Sequence, residues 1–129
     1  MNKVLICDDD DGIVDVAQII LQERGYDVQT ITQSDQIYEQ VRRFNPNVIL
    51  LDLWMPDISG EEITRTLKQN SSTQNIPIVI VSASRDTEKV AKNVGADDYI
   101  FKPFDIEELE EKVARNIKKS LHNNQNHNF

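Results

Sequence analysis

The chain has 129 residues, of which 22 are acidic and 14 basic, and its formal net charge at pH 7 is −8. This charge disfavours direct binding to nucleic acid or to an anionic membrane surface, since both repel an acidic protein. The single cysteine, Cys7, excludes a disulfide framework, and no apolar run approaches the roughly 20 residues of a membrane-spanning helix. We therefore expect a cytoplasmic protein.

The length suits one domain with one core. We expect this domain to cover residues 1–121 and a disordered tail to cover 122–129, where apolar periodicity is lost. His122 and His127 lie in that tail. Fraying is the commoner fate of chain ends, so we assign these histidines no metal.

Five short runs rich in β-branched and apolar residues predict five strands. The first, third and fourth are nearly continuous apolar runs, as expected of central parallel strands that are covered on both faces. The second alternates in polarity, which favours a sheet edge. The runs are Lys3 to Cys7, Asp27 to Ile31, Asn47 to Leu51, Ile78 to Val81 and Tyr99 to Phe101.

Segments with helical spacing of apolar residues follow the predicted strands. The first should stop at Gly25 and the fourth at Gly95, and the second covers Ser34 to Phe44. Ser59 and Glu62 form an S-x-x-E capping pattern before the third. Five alternations of strand and helix predict a doubly wound α/β fold, because parallel strands need right-handed crossovers.

The last predicted helix begins at Asp105, with glutamates in its first half and cations in its second. This order complements the helix dipole. Glu108 with Lys112, and Glu111 with Arg115, can form ion pairs one turn apart, each worth about 0.2–0.5 kcal/mol. We interpret this charged surface as a solvated helix face.

Polar residues stand at the ends of four predicted strands. An acidic run, Asp8 to Asp11, follows the first strand, Asp52 follows the third, Ser82 the fourth and Lys102 the fifth. In an open α/β sheet, functional residues gather at the carboxyl ends of the strands. These side chains should therefore meet at one edge of the sheet.

The expected cluster of Asp8, Asp9 and Asp52 has a physical cost. Carboxylates brought within about 5 Å repel each other by roughly 3 kcal/mol per pair at an effective dielectric near 20. A hard divalent cation relieves this repulsion, and Mg²⁺ uses one or two carboxylates together with phosphate oxygens. Lys102 and Ser82 supply a positive charge and a hydroxyl donor suited to a transferring phosphoryl group, with Asp52 as the nucleophile.

Four separated motifs resemble the receiver domains of two-component response regulators. They are KVLICDDD, VILLDLWMPDISG, PIVIVSAS and GADDYIFKPF, and they span nearly the whole chain. The resemblance implies a flavodoxin-like α/β fold, with five helices around a five-stranded parallel sheet of strand order 2-1-3-4-5. It also implies a cofactor, Mg²⁺, and a role in phosphorelay signal transduction.

Carried over by position, the resemblance identifies Asp52 as the phosphoacceptor. Asp8 and Asp9 match the acidic pair, with Asp9 as the direct Mg²⁺ ligand and Asp8 acting through water. Trp54 would add its backbone carbonyl. Lys102 would contact the phosphoryl group through its ammonium and precede Pro103 by a cis peptide bond, which X-Pro bonds tolerate at modest cost.

The same resemblance implies a switch made by Ser82 and Tyr99. Ser82 would also contact the phosphoryl group, and Tyr99 would turn inward and alter the face formed by the fourth helix, fifth strand and fifth helix. Trp54 is bulky for its position, and we hypothesise that it partly shields the acyl phosphate from water. The segment from Ser84 to Val94 is short for the fourth helix.

The expected partners follow from the resemblance as well. A histidine kinase or phosphotransfer protein would donate the phosphoryl group, and the protein would catalyse only its own phosphorylation and dephosphorylation. We expect a stand-alone receiver that acts on an unknown downstream protein, as a monomer or as a phosphorylation-dependent dimer.

Three alternatives remain at this stage. One is a receiver-like interaction module that is never phosphorylated. Another is a haloacid-dehalogenase-type phosphatase, whose D-x-D-x-T pattern is mimicked by Asp8 and Asp10, although Gly12 replaces the threonine. The third is a nucleotide or flavin binder, which the sequence DDDDG disfavours because carboxylates replace the glycine-rich turn and would repel a pyrophosphate.

Overall fold

The computed structural model describes the backbone of residues 2–126 and the side chains of residues 2–121. Five parallel strands form one sheet in the order β2-β1-β3-β4-β5, which confirms the predicted order. The strands are β1 (Lys3–Cys7), β2 (Asp27–Ile31), β3 (Val48–Asp52), β4 (Ile78–Ser82) and β5 (Asp98–Phe101). Predicted and observed strand boundaries differ by at most one residue.

Five α-helices connect and follow the strands, as expected. They are α1 (Asp11–Glu23), α2 (Ile37–Phe44), α3 (Gly60–Gln69), α4 (Thr87–Val94) and α5 (Ile106–Asn126). The predicted second helix divides into a 3₁₀ turn, Ser34–Gln36, and α2. In the described part of the chain no helix is both long enough and apolar enough to cross a membrane.

The helices cover both faces of the single sheet, so the core of the domain consists of two apolar clusters, one on each face. α1 and α5 pack on one face, where Val4, Leu50 and Val79 are buried. α2, α3 and α4 pack on the other face, against strand residues such as Leu5 and Ile49. Alternate residues of β1, β3 and β4 thus enter opposite cores, which explains why these strands read as continuous apolar runs.

Local signals in the sequence match the helix ends. Gly95 ends α4 with a φ of +82°, and Gly25, just beyond α1, has a φ of +89°; both values lie in the left-handed region that glycine adopts without strain. Ser59 Oγ accepts a hydrogen bond of 3.2 Å from the Glu62 amide, as the capping pattern predicts. Asp10 caps α1 by accepting hydrogen bonds from two backbone amides.

The end of the chain differs from our expectation. α5 continues to Asn126, through part of the segment that we predicted to be a disordered tail from residue 122. No glycine or proline ends the helix there, and extending an existing helix costs far less than starting one. Residues 127–129, including His127, and the side chain of His122 lie outside the described part of the chain, so the domain limit at residue 121 stays a prediction.

Candidate functional site: an acidic cluster at the carboxyl end of the sheet

Three carboxylates meet at the carboxyl end of the sheet. Asp8 and Asp9 follow β1, and Asp52 is the last residue of β3, which pairs with β1 in parallel register. One oxygen from each of the three lies within 4.8 Å of the others. Asp8 and Asp52 are buried, at 3% and 5% exposure, whereas Asp9 is exposed.

Lys102 is the cation nearest these acids in the described chain. Its Nζ lies 2.8 Å from Asp8 Oδ2 and 3.6 Å from Asp52 Oδ1. Burial lowers the pKa of Lys102, but its contacts with Asp8 and Asp52 outweigh burial and raise it above its usual range. Lys102 thus stays charged, and it sits closer to Asp8 than to the expected acceptor.

Asp52 is electrostatically destabilised in its ionised form. Burial and then repulsion by Asp8 raise the pKa of Asp52 to about 6, against the opposing effects of Lys102 and the Trp54 amide. With all groups ionised, three carboxylates and one ammonium leave an excess of two negative charges. A divalent cation would balance that excess, and the hard oxygen donors fit Mg²⁺.

Trp54 lies two residues beyond Asp52, in the loop that leads to α3. Its backbone amide lies 3.4 Å from Asp52 Oδ1, and its side chain is 68% exposed. The backbone at Trp54 therefore borders the acidic cluster, while the indole is largely exposed.

The two predicted switch residues occupy different places. Ser82 is fully buried at the end of β4, where its Oγ accepts a hydrogen bond of 3.1 Å from the Ser84 amide. Tyr99 is half-buried and lies between helices, because it is close enough to help Lys92 lower the pKa of Glu88 of α4, and its ring lies 5.0 Å from Lys112 Nζ of α5. Ser82 thus lies in a strand that neighbours Asp52, and Tyr99 lies on the surface between α4 and α5.

Gly60 is a site residue that sequence reasoning missed. A Cβ atom at this position would lie 2.3 Å from the Asp52 carbonyl oxygen and 2.8 Å from Leu53 Cα. The Gly60 amide donates to the Leu53 carbonyl at 3.0 Å. Glycine is common at helix starts, so nothing in the sequence signals that Gly60 lies this close to the backbone of Asp52 and Leu53.

A small gap of about 10 Å³ lies beside the cluster, lined by Asp8, Asp52 and Phe104. It is too small for a nucleotide or a flavin, whose sites usually measure a few hundred Å³ or more.

The family follows from comparison with known proteins. Residues 4–114 match the model of the response regulator receiver domain. The chain belongs to this family. Receiver domains bind Mg²⁺ at an acidic pocket and are phosphorylated by histidine kinases.

Curated relatives and solved structures agree with this assignment. The chain is 38% identical over 126 residues to the response regulator ArlR of Staphylococcus saprophyticus, covering 96% of this chain and 56% of ArlR. It is 33% identical over 120 residues to the DNA-binding response regulator MtrA of Mycolicibacterium smegmatis, covering 92% of this chain and 51% of MtrA. The receiver therefore spans about half the length of these relatives.

Two solved structures share nearly the whole fold. A CheY-like receiver domain protein from Methanospirillum hungatei superposes with a TM-score of 0.86 at 26% identity, covering 95% of this chain and 98% of that one. The chemotaxis response regulator CheY4 of Vibrio cholerae gives a TM-score of 0.83 at 30% identity, covering 90% and 98%.

Proposed function

We propose that this receiver accepts a phosphoryl group on Asp52 from the phosphohistidine of a histidine kinase or phosphotransfer protein. The observation that carries the proposal is a buried carboxylate at the end of β3, with two more carboxylates within 4.8 Å and Lys102 Nζ at 3.6 Å. The buried thiol of Cys7 supports a cytoplasmic location, because thiols stay reduced there.

In the proposed transfer, an Asp52 carboxylate oxygen bonds to phosphorus. The bond between phosphorus and the donor imidazole nitrogen breaks, and the imidazole keeps the electron pair. Lys102 would stabilise the transferred phosphoryl oxygens, and Ser82 would offer a hydroxyl donor from the neighbouring strand. Only ionised Asp52 attacks, and a bound cation would favour that form by offsetting the burial and the Asp8 repulsion that raise its pKa to about 6.

Mg²⁺ is the cation that we propose for this site. Asp9 and Asp52 would bind it directly, Asp8 through water, and Trp54 through its backbone carbonyl. The ion would neutralise charge on the carboxylates and the phosphoryl oxygens. Catalysis by the protein would be limited to its own phosphorylation and dephosphorylation.

The proposed output is a change in protein contacts. Movement of Ser82 toward the phosphoryl group would free space for Tyr99 to leave Glu88 and turn inward, altering the surface between α4 and α5. A shift from 1:99 to 99:1 between two states needs about 5.5 kcal/mol of differential stabilisation. Charge-assisted contacts of one phosphoryl group with Lys102, Ser82 and Mg²⁺ would supply this stabilisation.

The direct test is intact mass after incubation with acetyl phosphate, with and without Mg²⁺. We expect one phosphoryl adduct on the wild type in Mg²⁺, and none on Asp52→Asn or in excess chelator. An adduct that persists on Asp52→Asn would show that another residue accepts the phosphoryl group. No adduct on the wild type would favour an interaction module that works without phosphorylation.

The position of Trp54 leads to a prediction about the lifetime of the acyl phosphate. The indole is exposed beside Asp52, so Trp54→Ala should give water more access and speed dephosphorylation about threefold, a barrier change below 1 kcal/mol. Loss of the adduct would be followed by mass after removal of acetyl phosphate. Unchanged or slower loss would contradict shielding by the indole.

A further inference from the structure

The loop between Asp52 and α3, residues 53–59, is held by a side chain from a distant part of the sequence. We call this segment the acceptor loop. Ser34, in the 3₁₀ turn after β2, is only 1% exposed. Its Oγ donates to the Pro56 carbonyl at 2.7 Å and accepts from the Ile58 amide at 3.0 Å, 22 and 24 residues along the chain.

The two hydrogen bonds of Ser34 flank a residue with an unfavourable backbone. Asp57, between Pro56 and Ile58, has a φ of +70°, in the left-handed region that non-glycine residues rarely adopt. Such a conformation persists only where surrounding contacts hold it. Ser34 supplies these contacts, because it bonds to the residue on each side of Asp57.

The rest of the acceptor loop leaves little freedom between Ser34 and the acidic cluster. The Met55 side chain is buried, with its sulfur 3.6 Å from Cys7 Sγ. The Gly60 amide closes the loop onto the Leu53 carbonyl. A shift at Pro56 is therefore transmitted through Met55 to Trp54, whose amide contacts Asp52.

We infer that Ser34 is a positioning residue for the Mg²⁺ site: its hydroxyl holds the acceptor loop so that the Trp54 backbone faces the Asp52 carboxylate and the bound ion. The inference rests on the proposed function, since it assumes that Trp54 contributes its carbonyl to Mg²⁺. Without the hydroxyl, the Pro56 carbonyl and the Ile58 amide would have to find other partners, and the loop would adopt a wider range of positions.

The test compares Ser34→Ala with the wild type and with Thr73→Val. Thr73, in the connection between α3 and β4, is the control because its hydroxyl also donates to a backbone carbonyl, that of Leu67 in α3 at 2.6 Å, away from the acidic cluster. Mg²⁺ affinity is measured by calorimetry on the full chain. We expect Ser34→Ala to bind Mg²⁺ about tenfold more weakly, as outer-shell partners of metal sites do when removed, and Thr73→Val to bind like the wild type.

Phosphorylation by acetyl phosphate gives a second readout. Ser34→Ala should phosphorylate slowly at low Mg²⁺ and approach the wild-type rate at saturating Mg²⁺, because its Asp52 and Lys102 are intact. Wild-type Mg²⁺ affinity in Ser34→Ala would overturn the inference and leave the proposed function standing. A wild-type protein that binds no Mg²⁺ would overturn both, and the wild-type titration alone identifies that case.

A measurement on the unchanged chain keeps the inference falsifiable should Ser34→Ala fail to fold. Coupling between two sites is reciprocal, so Mg²⁺ should strengthen the Ser34 contacts if these contacts strengthen Mg²⁺ binding. We expect amide hydrogen exchange at Ile58 to slow about tenfold in saturating Mg²⁺, matching the affinity change. If the titration shows that Mg²⁺ binds but the exchange rate of the Ile58 amide is the same with and without Mg²⁺, the inference is overturned.

Discussion

Aspartates lie at both ends of the sheet, and their surroundings differ in charge balance. At the carboxyl end, Asp8 and Asp52 share one nearby ammonium, that of Lys102. At the amino end of β5, Asp97 and Asp98 each bind two cations. Lys68 and Lys119 bind the first, at 2.6 and 2.7 Å, and Lys112 and Arg115 bind the second.

The pKa values of these aspartates show the consequence. Burial acts to raise the pKa of Asp52, Asp97 and Asp98, but at Asp98 hydrogen bonds from Lys112, Arg115 and Asn116 outweigh burial and lower the pKa to about 2. The pKa of Asp52 is raised to about 6. Similar side chains thus differ because the number of donors around them differs.

The comparison separates a structural site from the proposed functional one. Asp97 and Asp98 connect β5 to α3 and α5, and their charges are satisfied by the chain itself. The cluster around Asp52 keeps a repulsion that Lys102 alone does not balance. Charges arranged at a cost to the folded state are typical of functional sites.

The largest expected effect is at the structural site. Asp98→Asn should lower the free energy of unfolding by about 1–2 kcal/mol at pH 7, less than for a fully buried pair because Lys112 and Arg115 are partly exposed. Urea denaturation measures the change. The control, Glu39→Gln, removes exposed pairs with Arg42 and Arg43 and should stay within about 0.5 kcal/mol. An Asp98→Asn protein as stable as the control would remove the distinction between the two sites.

The next effect has the opposite sign and depends on pH. In chelator at pH 7, Asp52→Asn should raise the free energy of unfolding by about 1 kcal/mol, because it removes a carboxylate that the folded state disfavours. The folded pKa of about 6 lies above the ordinary 3.8, so the folded state binds the extra proton between these values and wild-type stability rises as pH falls through this window. The advantage of the variant should therefore shrink from pH 7 to pH 5.

Asp98→Asn supplies the contrasting curve. In the wild type, the lowered folded pKa of Asp98 means that its contribution to stability is lost only below the ordinary value of 3.8, as pH falls toward 2. The deficit of Asp98→Asn should thus stay constant from pH 7 to pH 5, while the advantage of Asp52→Asn shrinks. If the stability differences of the two variants from the wild type changed with pH in the same way, the opposite electrostatics of Asp52 and Asp98 would be refuted.

The smallest effect is expected at Asp9, which is exposed and better solvated than its neighbours. In chelator, Asp9→Asn should leave the free energy of unfolding unchanged or raise it slightly, because one like charge is removed. In Mg²⁺ the same variant should gain less stability from the ion than the wild type does. Clear destabilisation in chelator would contradict the clustered carboxylates.

The fold could be predicted because its signals are local and repeated. Apolar runs in three strands, glycine at Gly25 and Gly95 and the cap at Ser59 each reflect a preference within a few residues. For the same reason, the local signals did not predict that α5 continues to Asn126. Polar composition after residue 121 predicts disorder, but a helix in progress continues until something ends it.

The ion pairs on α5 could not be predicted from spacing. Lys112 and Arg115 lie one turn from Glu108 and Glu111, yet both bind Asp98 of β5. A half-buried carboxylate attracts cations more strongly than a solvated glutamate does, since water screens the latter. The bridge from Ser34 to the acceptor loop is likewise invisible in the sequence, because its partners are backbone groups more than twenty residues away.

The sequence by itself determined which chemical groups stand at the strand ends, since a parallel sheet places the residues after each strand at one edge. It thereby predicted that Asp8, Asp9, Asp52, Ser82 and Lys102 would gather at that edge. Only the tertiary structure decided how their charges balance, because pKa values and ion pairs depend on burial and on distances of a few ångströms between segments far apart in the chain. The two ends of the sheet differ for that reason: aspartates that look alike in sequence meet one cation at one end and four at the other.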